Sequence, residues 1–108
     1  MTRKQYTRDE FRNVGNYFIT KGVADLLEPE LVILLLILID TMETDERDYF
    51  QVFTLCNMND CIEIIHEQEA PEYSNTIRFV TDKASFSEQK VFVIAENDYC
   101  TMLLNSEY

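Results

Sequence analysis

The sequence is poor in the residues that most catalytic and metal-binding sites require. Its 108 residues include one histidine, three cysteines, two glycines, two prolines and no tryptophan. Neither glycine lies in a glycine-rich loop of the kind that holds a phosphate group. Three cysteines without a regular spacing are typical of a chain that stays reduced. These absences exclude collagenous, low-complexity and disulfide-rich architectures.

Cys56, Cys61 and His66 are close enough in the sequence to raise the question of a metal site. The two cysteines flank a four-residue turn, so they could lie opposite one another across it. Residues five apart on a strand point to opposite faces, however, and this separates Cys61 from His66. Two thiolates also fall short of the four ligands of a structural zinc site. We therefore predict no metal and no cofactor, and expect His66 to be a polar or hairpin-edge residue.

No arrangement of residues in the sequence predicts an enzyme. Nucleophilic catalysis needs a nucleophile, a base beside it and a group that orients the base. A pairing of Cys100 with His66 can be imagined, but nothing in the spacing supports it. Residues 22–108 contain eighteen acidic side chains, so many carboxylate pairs are possible and no single pair is informative. We expect a non-enzymatic protein without catalytic residues.

The longest uninterrupted apolar run has nine residues, at positions 31–39. A helix that crosses a bilayer needs about 18 or more, and acidic residues flank this run on both sides, so it is not a membrane segment. The first residues, MTRKQYTRDEF, contain no apolar core and do not form a signal peptide. We expect a cytoplasmic protein that does not associate with membranes.

The same apolar run predicts the main helix of the fold, over about residues 29–43. Pro29 suits the first helical position, and Glu28 and Glu30 favour the positive end of the helix dipole. On a helical wheel one face is apolar and carries Leu31, Leu34, Leu35, Leu38 and Met42. The opposite face carries Asp40 and three apolar residues, Ile33, Leu36 and Ile37. That face is covered either within the monomer or by a second molecule, and in the second case these three residues form a homodimer interface.

After residue 48 the sequence changes to short alternating segments that are typical of strands. Two pairs of segments flank turn-like residues and predict hairpins, 49–56 with 61–67 and 90–95 with 99–104. Segments 17–20 and 76–81 have the composition of strands, while 99–104 could instead form a helical turn. The patterns predict an α+β fold, in which an antiparallel sheet of about five to six strands with two hairpins packs against one main α-helix.

The first fifteen residues differ from the rest of the chain and predict a basic N-terminal arm or a short helix. Thr7 and Glu10 have the spacing of a capping box, which would start that helix. Residues 16–108 predict a single α+β domain. A chain of this length can bury a core without disulfide or metal staples.

Negative charge dominates the composition, with a formal net charge of −11 at pH 7. Residues 1–21 carry five basic and two acidic side chains, a net of +3, whereas residues 22–108 carry four basic and eighteen acidic ones, a net of −14. Such a body repels nucleic acid and acidic membranes and attracts a basic partner. We predict that a partner binds eight carboxylates on the connection after the helix and around the first hairpin: Glu43, Asp45, Glu46, Asp48, Glu63, Glu67, Glu69 and Glu72.

Several stretches taken together resemble a known family. They read YFITKGV at 17–23, DYFQVF at 48–53, VFVI at 91–94, DYCTMLL at 98–104, and EY at 107–108. In order and spacing they are similar to a family of small proteins, known mainly from staphylococci, that is classed as a domain of unknown function, number 960. The resemblance covers residues 16–108 and offers no catalytic residues. The family's association with mobile cassette elements implies an accessory or anti-host role.

These observations predict a non-enzymatic, acidic protein-binding module. The more specific hypothesis is an inhibitor, encoded on a mobile genetic element, that mimics nucleic acid and blocks the basic groove of a nucleic-acid-processing enzyme. The alternative is a homo-oligomeric structural or accessory module that uses the exposed apolar helix face. In both cases the partner is a protein, and we expect no direct binding of nucleic acid.

Overall fold

The computed structural model describes residues 5–108, which form an α+β fold. Within these residues the helices are α1 (Arg8–Arg12), α2 (Lys21–Leu26) and α3 (Pro29–Asp40). The strands are β1 (Gln5–Thr7), β2 (Asn16–Ile19), β3 (Glu46–Asp48), β4 (Phe50–Asn57), β5 (Cys61–Gln68), β6 (Tyr73–Val80), β7 (Glu88–Glu96) and β8 (Tyr99–Leu104), followed by a 3-10 helix, Asn105–Glu107. Residues 1–4, where the predicted basic arm begins, lie outside the described residues.

Six strands form the main sheet, in the order β2-β8-β7-β4-β5-β6. β7, β4, β5 and β6 are antiparallel, and β7 returns to lie beside β4, which is a Greek-key order. β8 pairs antiparallel with β7, so 99–104 is a strand and not a helical turn. The predicted sheet was antiparallel, but the observed one is mixed because β2 pairs parallel with β8. Parallel neighbours need a long connection, which the chain between β2 and β8 provides.

A second, two-stranded sheet joins the start of the described chain to the connection after α3. β1 pairs antiparallel with β3, with Thr7 opposite Glu46. The predicted capping box is confirmed at α1, because Thr7 Oγ1 accepts from the N–H of Glu10 while the Glu10 carboxylate accepts from the N–H of Thr7. Phe11 of α1 is buried in the core. Residues 5–15 therefore pack onto the fold.

α3 begins at Pro29 as predicted and ends at Asp40, earlier than predicted. Leu34 and Leu38, predicted for the core face, are only half-buried. The buried face of α3 therefore differs from the predicted one, and its members are Leu31, Val32, Leu35 and Ile39. On the opposite face Leu36 is half-buried, and the two exposed side chains are Ile33 and Ile37.

The sequence patterns did not predict α2, so the main helix has two companions within residues 5–108. Thr20 caps the start of α2, where its Oγ1 accepts a hydrogen bond from the N–H of Val23 at 3.2 Å. Val23 is fully buried and anchors the helix. Six residues that include a glycine show no helical periodicity, which explains why the pattern missed α2. None of the helices formed by residues 5–108 is long and apolar enough to cross a membrane.

Burial alternates along β4 and β5, so their side chains point to two faces of the sheet. One face lies in the same core as the buried residues of α3 and carries Phe53, Leu55, Ile62 and Ile64. The other face, which we call the open face, carries Phe50 and Val52. The predicted opposition of Cys56 and Cys61 is wrong, because Cys56 lies opposite Glu63 in the register of the two strands.

Candidate partner-binding surface

Two acidic segments that are distant in the sequence lie side by side in the structure. Six of the eight predicted carboxylates are exposed on these segments: Glu43, Asp45, Glu46, Glu67, Glu69 and Glu72. The buried side chain of Gln68 joins the two segments. Its Nε2 donates to the backbone oxygen of Glu46 at 3.3 Å and to that of Pro71 at 2.8 Å. The connection after α3 is therefore held against the turn after β5.

The other two predicted carboxylates lie elsewhere. Asp48 is fully buried, and its carboxylate accepts hydrogen bonds from the N–H groups of Phe50 (3.1 Å) and Ala70 (3.2 Å). Its prediction as a partner-binding residue is wrong because it holds the start of β4 to the turn after β5. Glu63 is half-buried and lies opposite Arg78 of β6. An opposed cation reduces the charge that Glu63 presents to a partner.

The open face of the sheet forms a depression beside the acidic segments. Its volume is about 380 Å³, and the residues that line it are Phe50, Val52, Glu67, Gln68, Glu69 and Glu72. Val52 of β4 and Glu67 of β5 are directly opposite in register, so their side chains share one face. A concavity with an apolar floor and an acidic rim suits a cationic group carried on an apolar stem.

Phe50, which lines the depression, belongs to a cluster of three aromatic rings. The ring centroids of Phe50 and Phe92 are 4.9 Å apart, and Tyr108 makes T-shaped contacts with both, at 5.5 and 5.6 Å. Tyr108 is 76% exposed and adjoins Phe50, which lines the depression, and we call these two rings the aromatic wall. Sequence analysis did not identify this cluster, because Phe92 and Tyr108 are far from Phe50 in the sequence.

Glu107 fixes the segment that carries Tyr108. The Glu107 carboxylate accepts hydrogen bonds from Thr20 Oγ1 at 2.6 Å and from the N–H of Leu104 at 2.9 Å. These bonds lower the pKa of Glu107, and the bond from Thr20 has the largest effect. A β-carbon on Gly22 would come within 2.7 Å of the same carboxylate. Gly22 therefore leaves the space that lets the C-terminal 3-10 helix dock at the start of α2.

A buried polar network supports the rim of the depression. Gln51 donates from Nε2 to Oε1 of Gln68 at 2.7 Å, so its own oxygen faces Nε2 of His66, also at 2.7 Å, and Nε2 carries the proton. The prediction of a hairpin-edge histidine is wrong, because His66 is fully buried and stacks on Phe53 with ring centroids 4.4 Å apart. Burial, and then the charge of Arg47, lowers the pKa of His66 to about 4. The neutral imidazole thus orients Gln51 and, through it, Gln68.

Cys100 and His66 are not neighbours. Their strands, β8 and β5, are separated in the sheet by β7 and β4. Burial raises the pKa of the Cys100 thiol to about 12. A thiol in such an environment is inert as a nucleophile.

Three arginines, Arg8, Arg12 and Arg47, bind the end of α3. This helix ends in Asp40 without a glycine cap, and a carboxylate there is unfavourable for the helix dipole. Arg12 forms a two-pronged ion pair with Asp40 and lowers its pKa. Arg8 donates to the backbone oxygen of Met42 at 2.7 Å. Arg47 is fully buried and donates to the backbone oxygens of Ile39, Asp40, Met42 and Thr44.

The chain is similar to known proteins over most of its length. The profile of a family described as "Staphylococcal protein of unknown function (DUF960)" matches residues 16–107. The chain belongs to the DUF960 family. This confirms the resemblance predicted from the sequence motifs.

A solved structure shares the fold of this DUF960 chain. It is described as the crystal structure of the protein of unknown function from Enterococcus faecalis, and it is 21% identical with a TM-score of 0.70. The match covers 87% of this chain and 91% of the other. At this level of identity the likeness concerns the fold alone. None of the curated proteins compared with the chain matches it.

Proposed function

We propose that this DUF960 chain is a non-enzymatic protein-binding module whose exposed carboxylates bind a partner with a basic surface. The observation that carries the proposal is the meeting of the acidic segments 43–46 and 67–72 through Gln68. The ion pairs formed among residues 5–108 involve neither Glu67 nor Glu72. We propose that these two carboxylates pair with cations of the partner.

The distribution of charge favours a basic protein over nucleic acid as the partner. Residues 22–108 carry a net charge of −14. Arg8 and Arg12 are engaged at the end of α3 and are not free to bind phosphates. A concentrated negative field speeds association with a cationic surface and repels a polyanion.

In its specific form, the proposal is an inhibitor, encoded on a mobile genetic element, that acts in the cytoplasm by mimicking nucleic acid. Carboxylates held on a sheet and its turns would replace phosphates in the basic groove of a nucleic-acid-processing enzyme. Two points support this form. Residues 22–108 carry a strong net negative charge. The resemblance to the family implies an association with mobile cassette elements. The cysteines Cys56, Cys61 and Cys100 are all free, which accords with a reducing compartment.

Capture of host proteins on the immobilised chain, at rising salt and with duplex DNA as a competitor, tests the proposal. We expect salt and DNA to release the captured protein, because both compete for the same cations. The variant Glu67→Gln/Glu72→Gln should capture less than the matched variant Glu30→Gln/Asp82→Asn. The second pair removes the same charge from exposed residues near the start of α3, where Thr81 contacts Glu28. Capture that resists both salt and DNA would refute mimicry.

A second candidate function, a homo-oligomeric accessory module, is favoured by the outer face of α3. Ile33 and Ile37 are 57% and 49% exposed, and Leu36 between them is half-buried. Contiguous exposed apolar side chains of this kind are uncommon on a monomer. Light scattering at several concentrations tests it. An oligomer that Ile37→Glu converts to a monomer would support this function, and a monomer at every concentration would remove it.

A further inference from the structure

We infer that the depression on the open face receives an arginine side chain of the partner. This inference rests on the proposed function and adds the chemistry of the group that is bound. The floor is apolar, from Phe50 and Val52, and the rim carries the charge of Glu67 and Glu72. The occupant must therefore bring an apolar stem and a cationic head on the same side chain, which only arginine and lysine do.

The floor of the depression is held rigid by aromatic packing. Phe50 contacts three rings, those of Tyr49, Phe92 and Tyr108, with centroids 5.9, 4.9 and 5.5 Å away. Tyr108 itself is positioned by the docking of Glu107 on Thr20. The aromatic wall thus exists before a ligand arrives, and this lowers the entropy lost on binding.

The rim is equally fixed. Glu67 belongs to β5 and is directly opposite Val52, so its position follows from the sheet register. Glu72 lies in the turn that Gln68 anchors from below, and both the amide nitrogen and the oxygen of this buried glutamine are fully engaged. Carboxylates on such a rim can accept the two parallel N–H groups of a guanidinium.

The aromatic wall distinguishes arginine from lysine. A guanidinium is planar and weakly hydrated, and it stacks on aromatic faces while its edge pairs with carboxylates. An ammonium is strongly hydrated and makes point contacts, so it gains less from Phe50 and Tyr108. The depression therefore prefers arginine, whereas the surrounding acidic surface attracts either cation.

Two labelled peptides of equal charge, one with arginines and one with lysines spaced by glycine and serine, test the inference by fluorescence anisotropy. We expect the arginine peptide to bind about threefold more tightly to the full chain. Tyr108→Ser should abolish this preference, because the arginine peptide should lose more affinity than the lysine peptide when the ring beside Phe50 is removed. Amide signals of Val52 and Glu67 should shift in NMR spectra with the arginine peptide more than with the lysine peptide.

The outcomes separate this inference from the proposed function. Equal affinity for the two peptides, or a preference that survives Tyr108→Ser, overturns the arginine site and leaves the acidic surface intact. Failure of both peptides to bind at low salt overturns the inference and the proposed function together.

Discussion

At the scale of single residues, Arg47 takes the place of the cap that the sequence of α3 lacks. The guanidinium is buried and its N–H groups satisfy backbone oxygens from Ile39 to Thr44. Helix ends leave carbonyl oxygens without partners, and an unsatisfied buried carbonyl is costly. The chain after α3 can therefore turn into β3 without a glycine.

Replacing Arg47 tests this role. Arg47→Met keeps much of the volume but leaves several buried carbonyls unpaired, and we expect it to lower the free energy of unfolding by about 3–5 kcal/mol. Arg47→Lys keeps the charge with fewer directed donors and should lose less. Urea denaturation of the three proteins measures both differences. A methionine variant within about 1 kcal/mol of the wild type would show that Arg47 does not act as the cap.

His66 makes stability depend on pH in a defined window. Its pKa is 6.5 when unperturbed and about 4 in the fold, so between these values the unfolded chain binds a proton that the folded chain does not. Stability contributed by the neutral imidazole is complete above pH 6.5 and is lost as the pH falls towards 4.

Denaturation at a series of pH values measures this effect. The control is His66→Gln, which keeps a polar partner for Gln51 and does not titrate. Between pH 6.5 and pH 4 the free energy of unfolding of the wild type should fall by about 3 kcal/mol more than that of the control. Parallel pH profiles for the two proteins would contradict the buried, neutral state of His66.

At the scale of elements, the sequence predicted what depends on local periodicity. The apolar run with Pro29 predicted α3, and the short alternating segments predicted β4 and β5. α2 was missed because its first turn depends on one cap, Thr20, and its packing on one residue, Val23. The parallel pairing of β2 was missed because it depends on a partner more than eighty residues away in the chain.

The candidate site was predictable only in part for the same reason. Six of the eight predicted carboxylates are exposed, as a partner-binding role requires, and that role stays a prediction. Asp48 was assigned wrongly because its partners are backbone N–H groups, which look the same at every position in a sequence. The Gln51–Gln68 bridge and the Tyr108 wall join distant segments, so no local pattern indicates them.

The contact of Gly22 with Glu107 can be tested by a double-mutant cycle. Gly22→Ala places a methyl group against the Glu107 carboxylate, so we expect it to shift this carboxylate from Thr20 and Leu104 and to destabilise the protein. In a Glu107→Ala background the same change should stabilise it by up to about 1 kcal/mol, the helix preference of alanine over glycine. Thermal or urea unfolding of the wild type, the two single variants and the double variant gives the coupling free energy between Gly22 and Glu107. Additive effects would mean that the two residues do not constrain one another.

At the scale of the whole molecule, the basic and the acidic side chains have different roles. Arg8, Arg12 and Arg47 are directed inward or along the end of α3. Most of the acidic side chains around the depression remain on the surface. Folding therefore brings the acidic segments 43–46 and 67–72 side by side. A concentrated negative field orients a basic partner and speeds its association.

The most direct test of this account is the affinity of a labelled oligolysine peptide for the wild type and two charge-matched variants, measured by fluorescence anisotropy at several salt concentrations. The account predicts binding that weakens as salt rises, and a loss of about fivefold in Glu67→Gln/Glu72→Gln that exceeds the loss in Glu30→Gln/Asp82→Asn. Equal losses in the two variants, or an affinity independent of salt, would contradict a localised acidic surface as the functional part of this protein.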